Sequence, residues 1–309
     1  MTNFVHLHNH SEYSLLDGAI PVGLLPKLAA EQGMPAVAIT DHGAMFGTVE
    51  FYHACLQEGI KPIVGQECYV APERMTKKRS RRGENAAGYH LTLLVKNLKG
   101  YKNLLKISSV GYTKGFYYKP RVDKQFLAEH SEGLIAMSGC LKGEIPTLLN
   151  RGDIERAREV IRTYMDIFGK ENFIVEIQDH NLEEEKKINP LLLRLANEYG
   201  IKAVATNDCH YPTRQDWEAH DILLCIQTGK KVEDENRMRF PNDEFYFKSS
   251  EEMAALFPNN PQLLENTLWV ASQCNLDLDF SRFYLPRFPI PSQYNSINDY
   301  ITQKSQQGL

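Results

Sequence analysis

The chain has 309 residues, of which 42% are hydrophobic and 24% charged, and its formal net charge is −4. These values are typical of a globular protein with a full core and exclude a strongly basic protein, so any nucleic-acid binding must come from local basic patches. The sequence has no apolar run of about 18 residues and no leader, and its six cysteines form no pairing motif, which together predict a cytoplasmic protein without membrane contact.

Short apolar runs alternate with amphipathic stretches along the first two thirds of the chain. Strands are predicted at 4–8, 36–40, 62–70, 89–95, 134–138, 173–177 and 202–206. Helices are predicted between them at 21–32, 46–58, 100–112, 153–168 and 183–199. Nearly continuous apolar strands separated by helices predict a parallel sheet, either doubly wound or closed.

The alternation of strands and helices stops after about residue 212. Further helices are predicted at 214–227, 249–257 and 260–274. The proline-rich stretch 283–294 is typical of an extended connector, and 296–309 begins a helix that adds nothing to the core. We therefore predict one large domain over 1–280 and a connector over 281–309.

The first predicted strand carries an alternating histidine run, HLHNH, which contains His6, His8 and His10. Alternate residues of a strand share one face, so the three imidazoles point the same way. Imidazole is the commonest metal ligand in proteins, and an HxH pair such as His8 and His10 can hold one ion. His6 either joins this pair or hydrogen-bonds a ligand, and a chance polar strand is the alternative for the whole run.

Similar donor types occur at nearly all of the other predicted strands and in one loop. They are Asp17 (SLLDG), Asp41 and His42 (TDHG), Glu67 (GQE), His90, Cys140 (SGC), and Asp208 with His210 (NDCH). A carboxylate inside an apolar strand, such as Glu67, is rare unless it is paired or metal-bound. Asp41 is available to orient His42. Asp17 is otherwise a turn residue, His90 a hydrogen-bonded core histidine, and Cys140 a buried apolar residue.

These donors favour a barrel, because side chains from many strands meet at the carboxyl end of a barrel, where barrel active sites lie. Nine donors exceed what one tetrahedral zinc ion uses, so more than one metal ion is implied. The mixture suits Zn²⁺, with Mn²⁺ or Fe²⁺ as alternatives where oxygen ligands dominate. Closely spaced ions serve phosphoester hydrolysis, and no glycine-rich phosphate loop or nucleophile elbow offers a competing chemistry.

Two basic segments are predicted near this site. The segment 74–82 (RMTKKRSRR) contains Lys77, Lys78, Arg79, Arg81 and Arg82, and 117–121 (YYKPR) contains Tyr117, Tyr118, Lys119 and Arg121. Both are candidate DNA-binding segments, since the cations suit phosphates and the tyrosines suit stacking on bases. A solvated surface loop is the alternative for the first segment, and core or lid packing for the aromatics of the second.

The motifs HLHNHS, TDHG, GQE, SGC and NDCH together with His90 resemble the PHP (polymerase and histidinol phosphatase) family. Longer phrases such as GMPAVAITDHGAMFGTVEFY and SGCLKGEIP are similar to the amino-terminal part of bacterial DNA polymerase III alpha subunits, over about residues 4–290. The resemblance implies a distorted seven-stranded (β/α) barrel of TIM type, with a short carboxyl-terminal extension. It also implies a trinuclear metal centre with the ligands His8, His10, Asp17, His42, Glu67, His90, Cys140, Asp208 and His210. Many relatives carry Asp in place of His6, and all-histidine phosphatases carry His in place of Cys140.

Three functions are compatible with the resemblance. The first is a metal-dependent 3′–5′ exonuclease that proofreads DNA, with His8, His10, His42, Asp208 and His210 as catalytic residues. The second is a silent, metal-stabilised scaffold that supports the polymerase and docks a separate proofreading exonuclease. The third, a stand-alone phosphomonoesterase of the histidinol-phosphatase type, is disfavoured by the long polymerase-like phrases. The polymerising carboxylates of the family lie beyond the PHP domain, so this chain is not expected to polymerise DNA, and its expected partners are DNA and the remaining alpha-subunit domains.

Overall fold

A computed structural model describes residues 4–78, 85–283 and 285–309 of the chain. The chain divides into two compact units, Met1–Asp277 and Leu278–Leu309. The first unit contains the sheet and the candidate site. In the second unit, α11 (Ile297–Gly308) begins after Ser296, whose side chain accepts a hydrogen bond from the Asp299 N–H. The boundary predicted near residue 280 falls close to this division and stays a prediction.

The first unit is built on a curled, seven-stranded sheet. Its strands are β1 (Ala36–Ile39), β2 (Lys61–Val70), β3 (Tyr89–Val95), β4 (Arg121–Val122), β5 (Leu134–Met137), β6 (Phe173–Ile177) and β7 (Ala203–Ala205). The strand order is β1-β2-β3-β5-β6-β7, and the short β4 pairs with β2. All these pairs are parallel except those of β3, which runs antiparallel to both β2 and β5. The sequence prediction of a wholly parallel sheet was therefore wrong for β3.

Ten helices of the first unit fall in the described residues. They are α1 (Leu25–Glu31), α2 (Thr48–Gln57), α3 (Leu98–Thr113), α4 (Lys124–Glu129), α5 (Glu144–Asn150), α6 (Ile154–Phe168), α7 (Glu183–Tyr199), α8 (Trp217–Thr228), α9 (Ser250–Leu256) and α10 (Gln262–Gln273). α6 shows why the amphipathic pattern folds in this way. The Asp153 side chain caps its first turn, and Ala157, Ile161, Tyr164 and Phe168 bury one stripe at helical spacing. None of the described helices is long and apolar enough to cross a bilayer.

The amino-terminal segment 4–10 closes the sheet. The Ala38 N–H in β1 donates to the His6 carbonyl over 3.0 Å, while beyond β7 the Cys209 N–H donates to the His8 carbonyl over 3.2 Å. The segment therefore lies between the first and last strands of the sheet. It forms bridges to its neighbours rather than the predicted regular strand, and β4 is the seventh strand instead. The α/β, distorted barrel predicted from the sequence is confirmed, with this change in its strands.

The barrel interior forms one apolar core with α10. Its buried members are Val5, Leu7, Ala36, Ala38, Ile63, Leu94, Ile135, Met137, Ile174, Val204, Val270, Ala271 and Cys274. Val270 and Ala271 belong to α10, and Cys274 directly follows it. The Thr267 hydroxyl of the same helix accepts a hydrogen bond from the Val5 N–H over 3.1 Å. Fully burying an aliphatic side chain of this size contributes about 1.5–3 kcal/mol, so this core holds the strands at fixed positions relative to one another. The strand ends consequently present their polar side chains in a rigid frame.

Candidate metal centre

The nine donors predicted from the sequence meet at one rim of the barrel. His8 and His10 come from the amino-terminal segment, Asp17 from the following loop, His42 from the end of β1, Glu67 from β2, His90 from β3, Cys140 from the loop after β5, and Asp208 and His210 from the segment after β7. His90 reaches this rim because β3 is antiparallel, which places the start of β3 beside the end of β2. Each of the nine has a donor atom within 3.7 Å of a donor atom of another member.

The donor atoms form three overlapping groups. Within each group all donor atoms lie within 4.8 Å of one another, and the groups are His8–His10–Glu67–Asp208, His42–Glu67–His90 and His10–His42–His210. Cys140 extends the second group, with its Sγ 3.6 Å from His90 Nδ1. Asp17 extends the third, with Oδ2 2.8 Å from His42 Nε2 and 3.4 Å from His210 Nε2. Shared members link the groups, so the arrangement suits adjacent ions rather than three separate sites.

Several donor atoms in these groups are buried without a hydrogen-bond partner in the described part of the chain. They are His8 Nε2, Asp17 Oδ2, His42 Nδ1 and Glu67 Oε2. His42 Nδ1 lies only 2.7 Å from Glu67 Oε2, yet the two lack hydrogen-bond geometry. Buried polar atoms nearly always have a partner, and atoms that converge without one suit a shared cation. The residues present therefore fit divalent metal ions.

The charges of the site also suit a cation. Burial alone would raise the pKa of Glu67, but the neighbouring His90 and His42 hold that pKa well below its usual value. The pKa values of Asp17 and Asp208 are also held low against the effect of burial. His42 and His210 lower the pKa of Asp17. His8 and His210 lower that of Asp208. Burial, together with the neighbouring His42 and His210, lowers the pKa of His10 to about 3. The carboxylates are therefore ionised and His10 is neutral, which are the ligand forms that metals bind. His42 differs, because Glu67 and Asp17 outweigh burial and raise its pKa to about 10, so a metal ion must displace a proton there.

Glu176 is a buried contact of the proposed ligand His8 that the sequence reasoning missed. It lies in β6, is fully buried, and its Oε1 is 2.6 Å from His8 Nδ1. Thr206 Oγ1 donates to the same oxygen over 2.5 Å, and Gln178 Nε2 donates to it over 2.9 Å. A carboxylate that accepts from Nδ1–H leaves Nε2 free for a metal. The signal was present in the sequence as a carboxylate within the apolar strand FIVEI, the same signal that identified Glu67.

Two neighbours of the donors have other roles than the sequence indicated. Asp41 does not orient His42; it accepts from the Ser11 N–H over 2.6 Å and from the Ser11 hydroxyl over 2.9 Å. His42 is instead positioned by its backbone N–H, which donates to the Ser14 hydroxyl over 2.8 Å. His6 lies outside the donor groups, with Nε2 2.8 Å from the Lys248 carbonyl.

Of the basic residues predicted to bind DNA, four lie in the described part of the chain, and three of these are engaged elsewhere. Arg121 is 1% exposed, and its guanidinium donates to the carbonyls of Gly115, Ala86, Met75 and Lys77. It is therefore a structural residue, and its prediction as a DNA contact was wrong. Lys77 pairs with Glu73, and Lys78 donates to the Lys114 and Phe116 carbonyls. Lys119 lines a cleft beside the donors, whereas Arg79, Arg81 and Arg82 lie outside the described residues.

The fold and the donors define a barrel whose rim can hold several metal ions, and comparison with known proteins assigns it to a family. The model of the PHP domain family matches residues 6–180 of the chain. Because the match covers more than half of the chain, the chain belongs to the PHP domain family.

Within that family, the chain is similar to bacterial DNA polymerase III alpha subunits. It is 49% identical to the subunit of Treponema pallidum over 99% of the chain and 26% of the relative. It is 42% identical to that of Borreliella burgdorferi over 100% of the chain and 27% of the relative. It is 44% identical to that of Thermus aquaticus over 93% of the chain and 24% of the relative. The chain thus spans about a quarter of the length of the curated relatives it matches.

Among solved structures, one match is a Bifidobacterium adolescentis protein assigned by prediction as a metal-dependent phosphoesterase. The two chains are 13% identical, with a TM-score of 0.43 over 82% of this chain and 96% of the other. The similarity is distant.

Proposed function

We propose that the chain is a metal-dependent phosphoesterase that acts on DNA as a 3′–5′ exonuclease. The observation that carries the proposal is the convergence of nine donors, several of them buried without partners and six of them lining a cleft of about 400 Å³. Imidazole and thiol donors favour Zn²⁺, and Mn²⁺ or Fe²⁺ are the alternatives, with up to three ions. Such ions, when bound, supply Lewis acidity at the scissile phosphate and lower the pKa of water.

The protein's own residues complete the site. His8, His10, His42, Asp208 and His210 are the proposed catalytic ligands, held on the amino-terminal segment and at the ends of β1 and β7. Two cationic side chains, Lys142 and Arg239, line the same cleft. Both are exposed and available to the non-bridging oxygens of a phosphodiester. The site thus offers donors for the ions and charges that orient an anionic backbone.

A second candidate function, that of a scaffold, is favoured by one observation. His8 and His10 lie on the segment that closes the barrel, and both approach Asp208 across the junction, with Nε2–Oδ1 distances of 3.2 and 2.9 Å. Ions shared by these residues would hold the two ends of the sheet together, whether or not they cut DNA. In this reading the barrel supports a polymerase and docks a separate proofreading exonuclease.

The relatives are alpha subunits of DNA polymerase III, which supports a proposal about partners. We infer that the chain acts beside the remaining domains of such a subunit and on DNA at a replication complex. A cytoplasmic location stays a prediction from the sequence.

A nuclease assay tests the two functions. The 309-residue chain is incubated with Zn²⁺ or Mn²⁺ and single-stranded, 3′-labelled DNA, beside the ligand variants His8→Ala and Asp208→Ala. The control is His130→Ala, at the residue that follows α4 and belongs to none of the donor groups. Nucleotide release by the parent and His130→Ala, with loss in both ligand variants, supports the exonuclease.

Elemental analysis and melting curves accompany the assay, because removal of a ligand can also unfold a metal-stabilised barrel. Bound metal without nucleotide release by the parent would refute the exonuclease and leave the scaffold. Release of phosphate from a small monoester but not from DNA would instead indicate a free-standing phosphomonoesterase.

A further inference from the structure

A second cleft of about 220 Å³ opens beside the metal centre, and we call it the aromatic cleft. Its floor contains Asp17 and His42, which are also members of the donor groups. Its rim is formed by Phe46, Tyr112, Phe116 and Tyr118. Two proposed metal ligands therefore belong to both clefts, and a chain lying in the aromatic cleft leads directly to the metal centre.

The rim rings are exposed and arranged in a row. Phe46 is 56% exposed and Phe116 51% exposed, although burial of such rings is strongly favourable. The Phe46 and Tyr112 ring centroids lie 6.2 Å apart, and those of Tyr112 and Phe116 lie 6.4 Å apart at an interplanar angle of 28°. Single exposed apolar residues are ordinary, but a contiguous set beside a polar site marks a binding surface.

The backbone at Tyr118 is held in an unfavourable conformation that displays its ring. Its φ is +62°, a left-handed value that is rare for a bulky residue, and the side chain is 70% exposed. The turn is closed by the Tyr117 N–H, which donates to the Lys119 carbonyl over 3.0 Å. Such strain persists only where the surroundings enforce it, and it is concentrated at functional sites.

One cation faces the same cleft. The Lys119 ammonium lies 5.5 Å from the centre of the Tyr69 ring, and within the described parts of the chain no carboxylate forms a salt bridge with it. An ammonium beside a row of aromatic rings is the combination by which proteins hold single-stranded nucleic acid, because rings stack on bases while cations neutralise phosphates.

We propose that the aromatic cleft holds the unpaired 3′-terminal nucleotides of a DNA strand and guides the last phosphodiester to the metal centre. This inference rests on the proposed nuclease function. Phe116 and Tyr118 stack on successive bases, and Lys119 contacts the intervening phosphate. Because every base has a π face, the cleft should bind without strong sequence preference and should require unpaired bases.

Binding of a phosphorothioate oligonucleotide, which resists hydrolysis, tests the cleft independently of catalysis. Fluorescence anisotropy is measured on the parent, Phe116→Ala, Tyr118→Gly and the control Tyr101→Ala. Tyr101 lies on α3, 11 residues before Tyr112 and thus about 16 Å away along the helix. Loss of one base stack should weaken binding about tenfold, whereas Tyr101→Ala should bind as the parent does.

The Tyr118→Gly variant separates stability from recognition. Glycine adopts a positive φ without penalty, so this variant should melt at or above the parental temperature while its DNA affinity falls. Its ratio of oligonucleotide cleavage to cleavage of bis(p-nitrophenyl) phosphate, a diester without bases, should also fall about tenfold.

The outcomes distinguish failure of the cleft from failure of the nuclease. Parental oligonucleotide affinity in Phe116→Ala and Tyr118→Gly would overturn the cleft, even if the protein hydrolyses the diester. Equal affinity for fully paired duplex DNA would also overturn the proposed role of the cleft. Binding of a protein partner in the cleft, without binding of the oligonucleotide, would overturn it too. Weakened binding in both variants without any hydrolysis by the parent would support the cleft and refute only the proposed exonuclease.

Discussion

Replacing Glu176 by Gln should weaken metal binding although the residue contacts no proposed ion. Its Oε1 accepts from His8 Nδ1, Thr206 Oγ1 and Gln178 Nε2, at 2.6, 2.5 and 2.9 Å. Glutamine keeps the shape but loses the charge that favours a proton on Nδ1. Its amide can also donate to Nδ1, which would move the imidazole proton to Nε2, the atom that faces the donor group.

The expected loss of metal affinity follows from the loss of this one contact. Removing such a partner of a liganding histidine typically lowers metal affinity about 10- to 100-fold. With zinc at 100 times the parental Kd, binding stabilises the parent by about 2.7 kcal/mol. In Glu176→Gln that contribution should shrink to about 0.4–1.4 kcal/mol, because free zinc then stands only about 1 to 10 times above Kd.

Urea unfolding with and without zinc, together with zinc competition against a chromophoric chelator, measures this change. The matched control is Glu144→Gln, a buried carboxylate on α5 that pairs with Lys124 and contacts the Tyr164 hydroxyl away from the donors. It should lower the free energy of unfolding equally with and without zinc. Parental zinc affinity in Glu176→Gln would refute the view that Glu176 orients His8.

Two further predictions concern stability. Arg121→Ala should lower the free energy of unfolding by about 3 kcal/mol, because four carbonyls lose a charged donor. The control Lys119→Ala should change it by less than about 0.5 kcal/mol. Similar urea unfolding curves for the two variants would contradict this prediction. Burial lowers the pKa of His220 to about 4, so the unfolded chain binds its proton first and stability falls as pH drops from 6.5 to 4. In metal-free protein, His220→Phe should reduce this acid-induced loss of unfolding free energy by about 1.4 kcal/mol per pH unit. Urea unfolding at pH 7 and 5 measures the change, and an unaltered pH dependence would rule out this role of His220.

The prediction of the site depended on donor chemistry that is visible locally. An HxH pair, or a glutamate such as Glu67 inside an apolar strand, is conspicuous in any sequence because its burial requires a partner. Glu176 carried the same signal but stands in a strand without other donors, so nothing nearby drew attention to it. Arg121 shows the opposite error: a positive charge beside aromatics resembles a DNA contact, and only the surrounding carbonyls show that it is buried.

The fold was predicted less completely, for a related reason. Apolar alternation identified the positions of six of the seven strands, yet β3 has the same pattern whichever direction it runs. The antiparallel pairing of β3 was decided by long-range packing, and it is what places His90 beside Glu67 at 2.8 Å.

The amino-acid sequence by itself determined the class of fold and the chemistry of the donors, since periodicity and side-chain type are local properties. Tertiary structure alone decided which donors lie together, that segment 4–10 closes the barrel, and that Phe46 and Tyr112 meet across 66 residues of chain. These outcomes depend on contacts between residues far apart in sequence. Such contacts are set by the packing of the whole core, and no short segment specifies them.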